Sequence, residues 1–322
     1  MKRGSGLDKL RARLIYNPTS GREEIRRKLP AILQRLERGG IETSCHATEC
    51  KGDATQAAAD AAERGFDIVI AAGGDGTLNE VVHGLAGQEH RPALGLLPLG
   101  TTNDFARAHG IPRHWEGACD LITRNYSTPV DVGRANGRYF INIAGGGSLT
   151  ELTYEVPSKL KTMVGQLAYY MKGIEKVAKL HPTPLKISAD GVGEFEEEFM
   201  LFLIANSNSV AGFDKLLPDA STSDGLFDFI ALRKCSLPEF FRLATLVMRG
   251  EPVMNDSHFL HFRSNRIQVE SSSRVQLNLD GEFGGTLPCV FDMLPSHIRI
   301  IVDESGESSY RKNGGPNRAL ML

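Results

Sequence analysis

With 322 residues, 41% hydrophobic and 24% charged, the chain has the makeup of a globular protein with room for two domains, each usually ~100–200 residues long. A formal net charge of -2 excludes the whole-molecule basic footprint of a nucleic-acid binder, and no nucleic-acid partner is expected. Five scattered cysteines without a C-x-x-C pair argue against a disulfide framework or a zinc site, so a reducing cytosol is the expected compartment.

The start, Met1-Lys2-Arg3-Gly4-Ser5-Gly6, is basic but no apolar stretch follows it, which makes a poor signal peptide. Apolar runs such as Phe199–Ala205 fall well short of the ~20 residues of a membrane-spanning helix. Strand-like Arg13–Tyr16 leads into the turn-rich loop Asn17-Pro18-Thr19-Ser20-Gly21, and a charged helix then runs to Arg38. Gly39-Gly40 ends it, and Ile41–Ala47 reads as the next strand. Asp53 with Gln56 predicts a capping box opening the Ala-rich helix Ala54–Arg64, with Gly65 as its stop. Asp67–Ala72 and Ala93–Leu97 are compact apolar strands of the buried parallel type. Between them Leu78, Val81, Val82 and Leu85 recur at helical spacing. This alternation predicts a doubly wound α/β domain over residues 8–127, joined by a C-terminal strand from about residue 295 to 303.

From Thr128 strand-like runs follow one another: Pro129–Arg134, Arg138–Ile143, Leu185–Ala189, Glu194–Ala205, Leu226–Leu232 and Val275–Leu279. Asp190-Gly191 marks a turn, and two helices are inserted, Ser158–Leu180 and Pro238–Arg249 behind a Ser236 cap. A β-rich second domain over 128–294 is the expectation, and the polar stretch 305–322 reads as a mobile tail.

The segment Gly73-Gly74-Asp75-Gly76-Thr77-Leu78-Asn79-Glu80 follows a buried strand and opens a helix, where backbone amides and a helix N-terminus suit a polyphosphate. Asp75 is placed to handle a Mg²⁺ that binds phosphate; the bland alternative is a tight turn with an exposed acid. Pro98-Leu99-Gly100-Thr101-Thr102-Asn103-Asp104-Phe105-Ala106-Arg107 follows the next strand in the same way. In an open α/β sheet such loops, with Asn17–Gly21, converge on one crevice. Neither a G-x-G-x-x-G dinucleotide fingerprint nor a G-x-x-x-x-G-K-[ST] loop is present. Gly145-Gly146-Gly147-Ser148 reads as a plain flexible turn, and the lone histidines His83, His109 and His261 as structural.

Toward the C-terminus Val275, Leu277 and Leu279 alternate with Gln276, Asn278 and Asp280. If that strand continues, Asp280 and Glu282 share its polar face with Gly281 bending between them; the alternative is a hairpin tip with two solvated acids. Ser158–Leu180 carries Lys159, Lys161, Lys172, Lys176 and Lys179 among apolar side chains. It reads either as a face for an anionic bilayer or as a solvated surface helix.

Together, Gly73–Val81 and Pro98-x-Gly100-Thr101-x-Asn103-Asp104-Phe105-Ala106-Arg107 resemble the signature of the diacylglycerol kinase catalytic family, whose members include sphingosine kinases and related bacterial lipid kinases. The likeness extends to Asn17-Pro18-x-Ser20-Gly21, Val156-Pro157-Ser158-Lys159, Pro218-Asp219-Ala220, Asp224-Gly225 and Asp280-Gly281-Glu282, and is greatest to the soluble Gram-positive branch. It implies an N-terminal α/β nucleotide-binding domain and a C-terminal β sandwich with the active site in the cleft between them. It implies ATP contacts from Asn17–Gly21, Thr48, Gly73–Asn79, Gly100 and Thr101, and a catalytic Mg²⁺ handled by Asp75 and Asp104. It makes Glu282 the candidate general base and Asp280 a second catalytic acid beside it. It also implies a second, structural Mg²⁺ on Asp224 with the main-chain carbonyls of Ser221 and Leu226. The implied reaction is phosphorylation of the free hydroxyl of 1,2-diacylglycerol, returning it to phospholipid synthesis, by a cytoplasmic protein visiting the inner face of the membrane. A homodimer is left open. Another lipid alcohol, an NAD-kinase-like use of the Gly-Gly-Asp-Gly turn, or a non-catalytic sensor on the same fold are the competing readings.

Overall fold

The structure, a computed structural model, describes residues 9–19, 24–147, 181–207, 221–251 and 253–304. The predicted helix Ser158–Leu180, the Val156–Lys159 and Pro218-Asp219-Ala220 motifs, and the segment from 305 onward lie outside the described residues. The chain forms two units, residues 1–132 with 295–322, and residues 133–294.

In the first unit, strands β1 (Leu10–Tyr16), β2 (Ile41–Ala47), β3 (Ile68–Gly73) and β4 (Ala93–Pro98) alternate with helices α1 (Glu24–Arg38), α2 (Asp53–Glu63) and α3 (Asp75–Ala86). The strands pair in parallel in the order β2-β1-β3-β4, and β3 is buried along its whole length, as its unbroken apolar run requires. The order reverses at β1, so the crevice past the carboxyl ends of β1 and β3 is where such sheets place ligands. Helices α4 (Asp104–Ala108) and α5 (Trp115–Arg124) follow β4, and Arg35 of α1 grips Asp120 of α5 through two bonds of 2.6 Å. A late strand, Cys289–Ile301, enters this unit at its carboxyl end, where Ile300 pairs in parallel with Leu94.

The predicted capping box at Asp53 does not form. Gly52, at φ 88°, is the N-cap and Asp53 is the first helical residue. Its carboxylate instead accepts from the Glu49 amide at 2.8 Å and meets His46 Nε2 at 3.0 Å, while Gln56 donates to Asp60. The amide of Ala54 donates to Glu80. The Asp53 and Gln56 amides that the box would have paired donate instead to the carbonyls of Cys50 and Gly52.

In the second unit β5 (Ser127–Ala135) hands over to β6 (Arg138–Phe140), β7 (Ile143–Gly146), β8 (Thr183–Ala189), β9 (Gly193–Ala205) and β10 (Phe227–Arg233). Helix α6 (Leu237–Arg249) is followed by β11 (Phe259–Ser264), β12 (Arg266–Ser271), β13 (Gln276–Leu279), β14 (Glu282–Thr286) and β15 (Cys289–Ile301). Antiparallel pairing runs β14-β13-β7-β9-β8-β12-β15, with β10 between β9 and β11, giving a β sandwich. Its interior is a phenylalanine cluster in which Phe140, Phe202, Phe227, Phe229 and Phe291 are fully enclosed, with Phe229 and Phe262 stacked at 4.6 Å. As expected, Ser236 caps α6: the Glu239 carboxylate accepts from both its amide (2.9 Å) and its hydroxyl (2.7 Å).

Two expectations for this unit are corrected. The run Arg138–Ile143 is not one strand but two, β6 and β7, separated at Ile141-Asn142. Gly145 and Gly146 are not a flexible turn; they are strand residues paired with both β13 and β9. A Cβ on Gly146 would stand 2.6 Å from the Phe202 ring, so glycine is there for packing.

Candidate active site

Beyond the carboxyl ends of β1, β3 and β4 the predicted loops come together. The Asn17 amide donates to the Ala72 carbonyl at 3.2 Å, and Asn17 Oδ1 accepts from the amide and hydroxyl of Thr19, folding Asn17-Pro18-Thr19 into a side-chain-held turn. Ser20 and Gly21 lie outside the described residues. Thr48, just past β2, donates its amide to Tyr16 at 2.9 Å. The Leu99 amide donates to Gly73 at 2.9 Å, and Gly100 stands directly against Gly74. A small pocket lined by Gly73, Gly74, Asp75, Leu97, Asn103 and Ala106 sits between these turns.

Gly74 is the N-cap of α3 with no side chain capping it, so the first helical amides belong to the turn. Asp75 through Asn79 form the first helical turns: Gly76 is exposed, Thr77 and Asn79 are half-buried, and Leu78 points into the core. Leu78 also lines the pocket, and its amide closes the start of α3 on the Gly74 carbonyl at 3.1 Å. Thr101 is exposed at the rim.

Asp75 braces the two turns. Its oxygens accept from the amides of Asn103 and Asp104, both at 2.9 Å. Burial first, and then the neighbouring Asp104, push its carboxyl above the usual range, while the two amides pull the other way. Asp104 is paired with Arg107 at 2.7 Å. Sequence reasoning missed Asn103, which holds the second turn closed: Oδ1 accepts from the Gly100 amide at 3.0 Å and Nδ2 donates to the Gly100 carbonyl at 2.8 Å. Its left-handed φ of 50° is one asparagine tolerates better than most residues, and an asparagine directly before Asp104 is the sequence signal that could have marked it as the N-cap of α4.

Asp280 and Glu282 do not share a strand face. Asp280-Gly281 is the two-residue tip of the β13–β14 hairpin, with Leu279 paired to Glu282 across it. Asp280 turns inward and accepts from the amides of Ile141, Asn142 and Ile143 at 2.7, 2.9 and 2.8 Å. Glu282 is exposed as the first residue of β14.

Among the described residues of the second acidic loop, Asp224 accepts from the Leu226 amide at 3.0 Å and is ion-paired with Arg263, while Ser221 lies buried against Ser223. No group of three or more His, Cys, Asp or Glu side chains converges on a metal position among the described residues. Two of the histidines read as structural are held: the His109 ring packs tilted against Phe105 with centroids 4.2 Å apart, and His261 meets the buried Asp228 at 2.9 Å.

Residues 11–135 match the family model of the diacylglycerol kinase catalytic domain, and residues 152–302 that of the YegS C-terminal NAD kinase beta sandwich-like domain. Fold and turns together define a class, kinases that join an α/β catalytic domain to a β sandwich. The chain is 57% identical over 293 residues to the diacylglycerol kinase of Bacillus subtilis, covering 91% of this chain and 96% of that one. It is 49% identical over 290 residues to the diacylglycerol kinase of Staphylococcus aureus strain MRSA252, covering 90% and 91%. It belongs to the diacylglycerol kinase family of lipid kinases. The crystal structure of a diacylglycerol kinase from Bacillus anthracis superposes with a TM-score of 0.77 at 29% identity, covering 93% of this chain and 99% of that one. An NAD kinase from Archaeoglobus fulgidus, solved in complex with ATP, superposes with a TM-score of 0.52 at 14% identity over 94% and 98% of the two chains, a likeness of fold alone.

Proposed function

We propose that this chain transfers the γ-phosphoryl group of ATP to the free hydroxyl of 1,2-diacylglycerol, giving phosphatidic acid for return to phospholipid synthesis. The observation that carries the reading is the joining of the two glycine turns by Asp75, which leaves the amide-rich start of α3 beside Gly100. Asn17–Gly21, Thr48, Gly73–Asn79, Gly100 and Thr101 form the nucleotide site, in which the first turn of α3 presents its amides to phosphate. Phosphoryl transfer asks the protein for position and for charge stabilisation on the equatorial oxygens, and rigid backbone donors supply both.

Asp75 and Asp104 fit a Mg²⁺: two electrostatically coupled carboxylates form a hard-oxygen donor set, and Mg²⁺ usually takes one or two carboxylates plus phosphate oxygens. When bound, the ion neutralises charge on the phosphates. A second Mg²⁺ is proposed on Asp224 with the carbonyls of Ser221 and Leu226. There Arg263 now pairs with Asp224 and would have to yield that carboxylate to the ion. Glu282 takes the proton of the attacking hydroxyl. Because diacylglycerol resides in bilayers, the enzyme works as a cytoplasmic protein at the inner membrane surface, with Ser158–Leu180 as its anionic-bilayer contact. A homodimer through the β sandwich is part of the same proposal. Among the described residues no helix is long and apolar enough to cross a membrane.

The test is transfer of label from radiolabelled ATP to diacylglycerol in mixed micelles with Mg²⁺, with sphingosine, monoacylglycerol and NAD in parallel. Labelled phosphatidic acid is expected. Label on another acceptor alone overturns the substrate, and no transfer to any acceptor overturns the catalytic reading. Glu282→Gln is expected to bind ATP normally and lose most turnover; near-normal turnover removes the base.

A further inference from the structure

Ile141-Asn142, the break between β6 and β7, is held from both sides. The amides of Ile141, Asn142 and Ile143 donate to the Asp280 carboxylate, and the Ile143 carbonyl accepts from the Asp280 amide at 2.9 Å. The carbonyls of Ile141 and Asn142 accept from the side chain and the amide of Asn206, both at 2.9 Å, and Ser207 donates to Asn142 Oδ1 at 3.3 Å. Asn142, Asn206 and Ser207 are buried, so this network is shielded from water. On the other side of Asp280 lies the hairpin tip. Asp280 and Gly281 both adopt positive φ, 49° and 92°, as a tight hairpin of the primed type demands, and the Gly281 amide donates to Asn278 at 2.7 Å.

A carboxylate offers about four lone-pair sites. Three backbone amides take most of them in Asp280, which leaves it poorly placed to receive a proton from a substrate hydroxyl. We infer that Asp280 is not a second catalytic acid but a positioning residue: it fastens the β13–β14 tip to the 141–143 backbone and so fixes where Glu282, two residues on, presents its carboxylate. The inference rests on the reading of Glu282 as the base.

In Asp280→Asn one oxygen still serves the Asn142 and Ile143 amides, but the new amide nitrogen faces the Ile141 N–H, donor against donor. The tip shifts, and a displacement of ~1 Å at a reacting group can cost roughly 10²-fold in rate. Single-turnover rates with labelled ATP and diacylglycerol micelles would be measured for wild type, Asp280→Asn, Glu282→Gln and the double variant. Asp280→Asn alone is expected to lose roughly 10²-fold in turnover with KM for ATP within about twofold. In the Glu282→Gln background the same change should have an effect of less than about threefold, because a residue acting through another has nothing left to act on. Equal fold-losses in both backgrounds, or undiminished turnover in folded Asp280→Asn, overturn the inference while leaving Glu282 in place. Near-normal turnover in Glu282→Gln alone removes the base and the inference with it. Should Asp280→Asn fail to fold by circular dichroism, Asn278→Ala carries the test. It frees only the Gly281 amide, so a smaller turnover loss confined to the Glu282 background is expected, and equal losses in both backgrounds overturn the proposal.

Discussion

Gly100→Ala and Gly76→Ala, one in each glycine turn, should change stability in opposite directions. A Cβ at Gly100 would lie 2.5 Å from the Cα of Gly74 and 2.7 Å from Asn103 Oδ1. Carbon atoms prefer ~3.5–4.0 Å, so the turns must separate by about 1 Å. That movement strains the Asn103–Gly100 bonds and the Asn103 amide's bond to Asp75. Overpacking of about 1–3 kcal/mol plus weakened hydrogen bonds of about 1 kcal/mol gives a loss of roughly 2–4 kcal/mol. Gly76 has open space around its Cβ position and lies near the start of α3, so alanine there should gain up to about 0.5 kcal/mol. Both variants should still raise KM for ATP, the first by moving the turns and the second by blocking close approach of the phosphates. Urea unfolding of ligand-free protein followed by tryptophan fluorescence reads the first unit, because the single tryptophan, Trp115, is in α5. Gly100→Ala as stable as wild type, or Gly76→Ala destabilised by more than about 1 kcal/mol, would refute the reasoning.

Two further outcomes are expected. Burial holds the His109 imidazole down at about 4, well under its ordinary 6.5. The unfolded chain therefore takes a proton that the native ring refuses, and this stability is present above about 6.5 and lost as pH falls towards about 4. About 2–3 kcal/mol should disappear across that window, and urea midpoints at pH 7.5 and 5 should differ less in His109→Gln than in wild type. Ser236→Ala removes one arm of the cap on α6 and should lower stability by about 1 kcal/mol without changing turnover, as read by urea titration and the labelled-ATP assay.

Much of the first unit was legible because its signals are local. Apolar runs gave β3 and β4, helical spacing gave α3, and the glycine turns stood where the sheet needed loops. What escaped was decided at a distance. Asp280 reads as half of a polar strand face, yet its partners are amides 137 to 139 residues away, and no local pattern announces them. Asp53 carries a helix-start signature, but its carboxylate is taken by His46 near the end of β2 and by the Glu49 amide in the loop that follows. The part of β15 from about residue 295 onward is expected from the sequence; its start at Cys289 is not, because Pro295 and Ser296, the latter at φ 52°, argue against one continuous strand. Strands β11 and β12 do alternate, with Leu260, Phe262, Ile267 and Val269 inward, but only one residue separates them. The roles given to Asn17, Thr48 and Glu282 came from family likeness, since nothing in their spacing distinguishes a ligand contact from an ordinary loop.

The late arrival of β15 in the first unit has a bearing on synthesis. The chain leaves that unit after Val132 and returns at Pro295, where the Ser296 amide donates to Asp131, His297 to the Ala86 carbonyl, and Ile300 pairs with Leu94. On a ribosome the second unit can be complete while β4 still shows an unpaired edge, the kind of edge that recruits other chains. A fragment ending near residue 132 would keep every glycine turn described above and still lack its closing strand. The first unit thus becomes whole only after all of the second has been made.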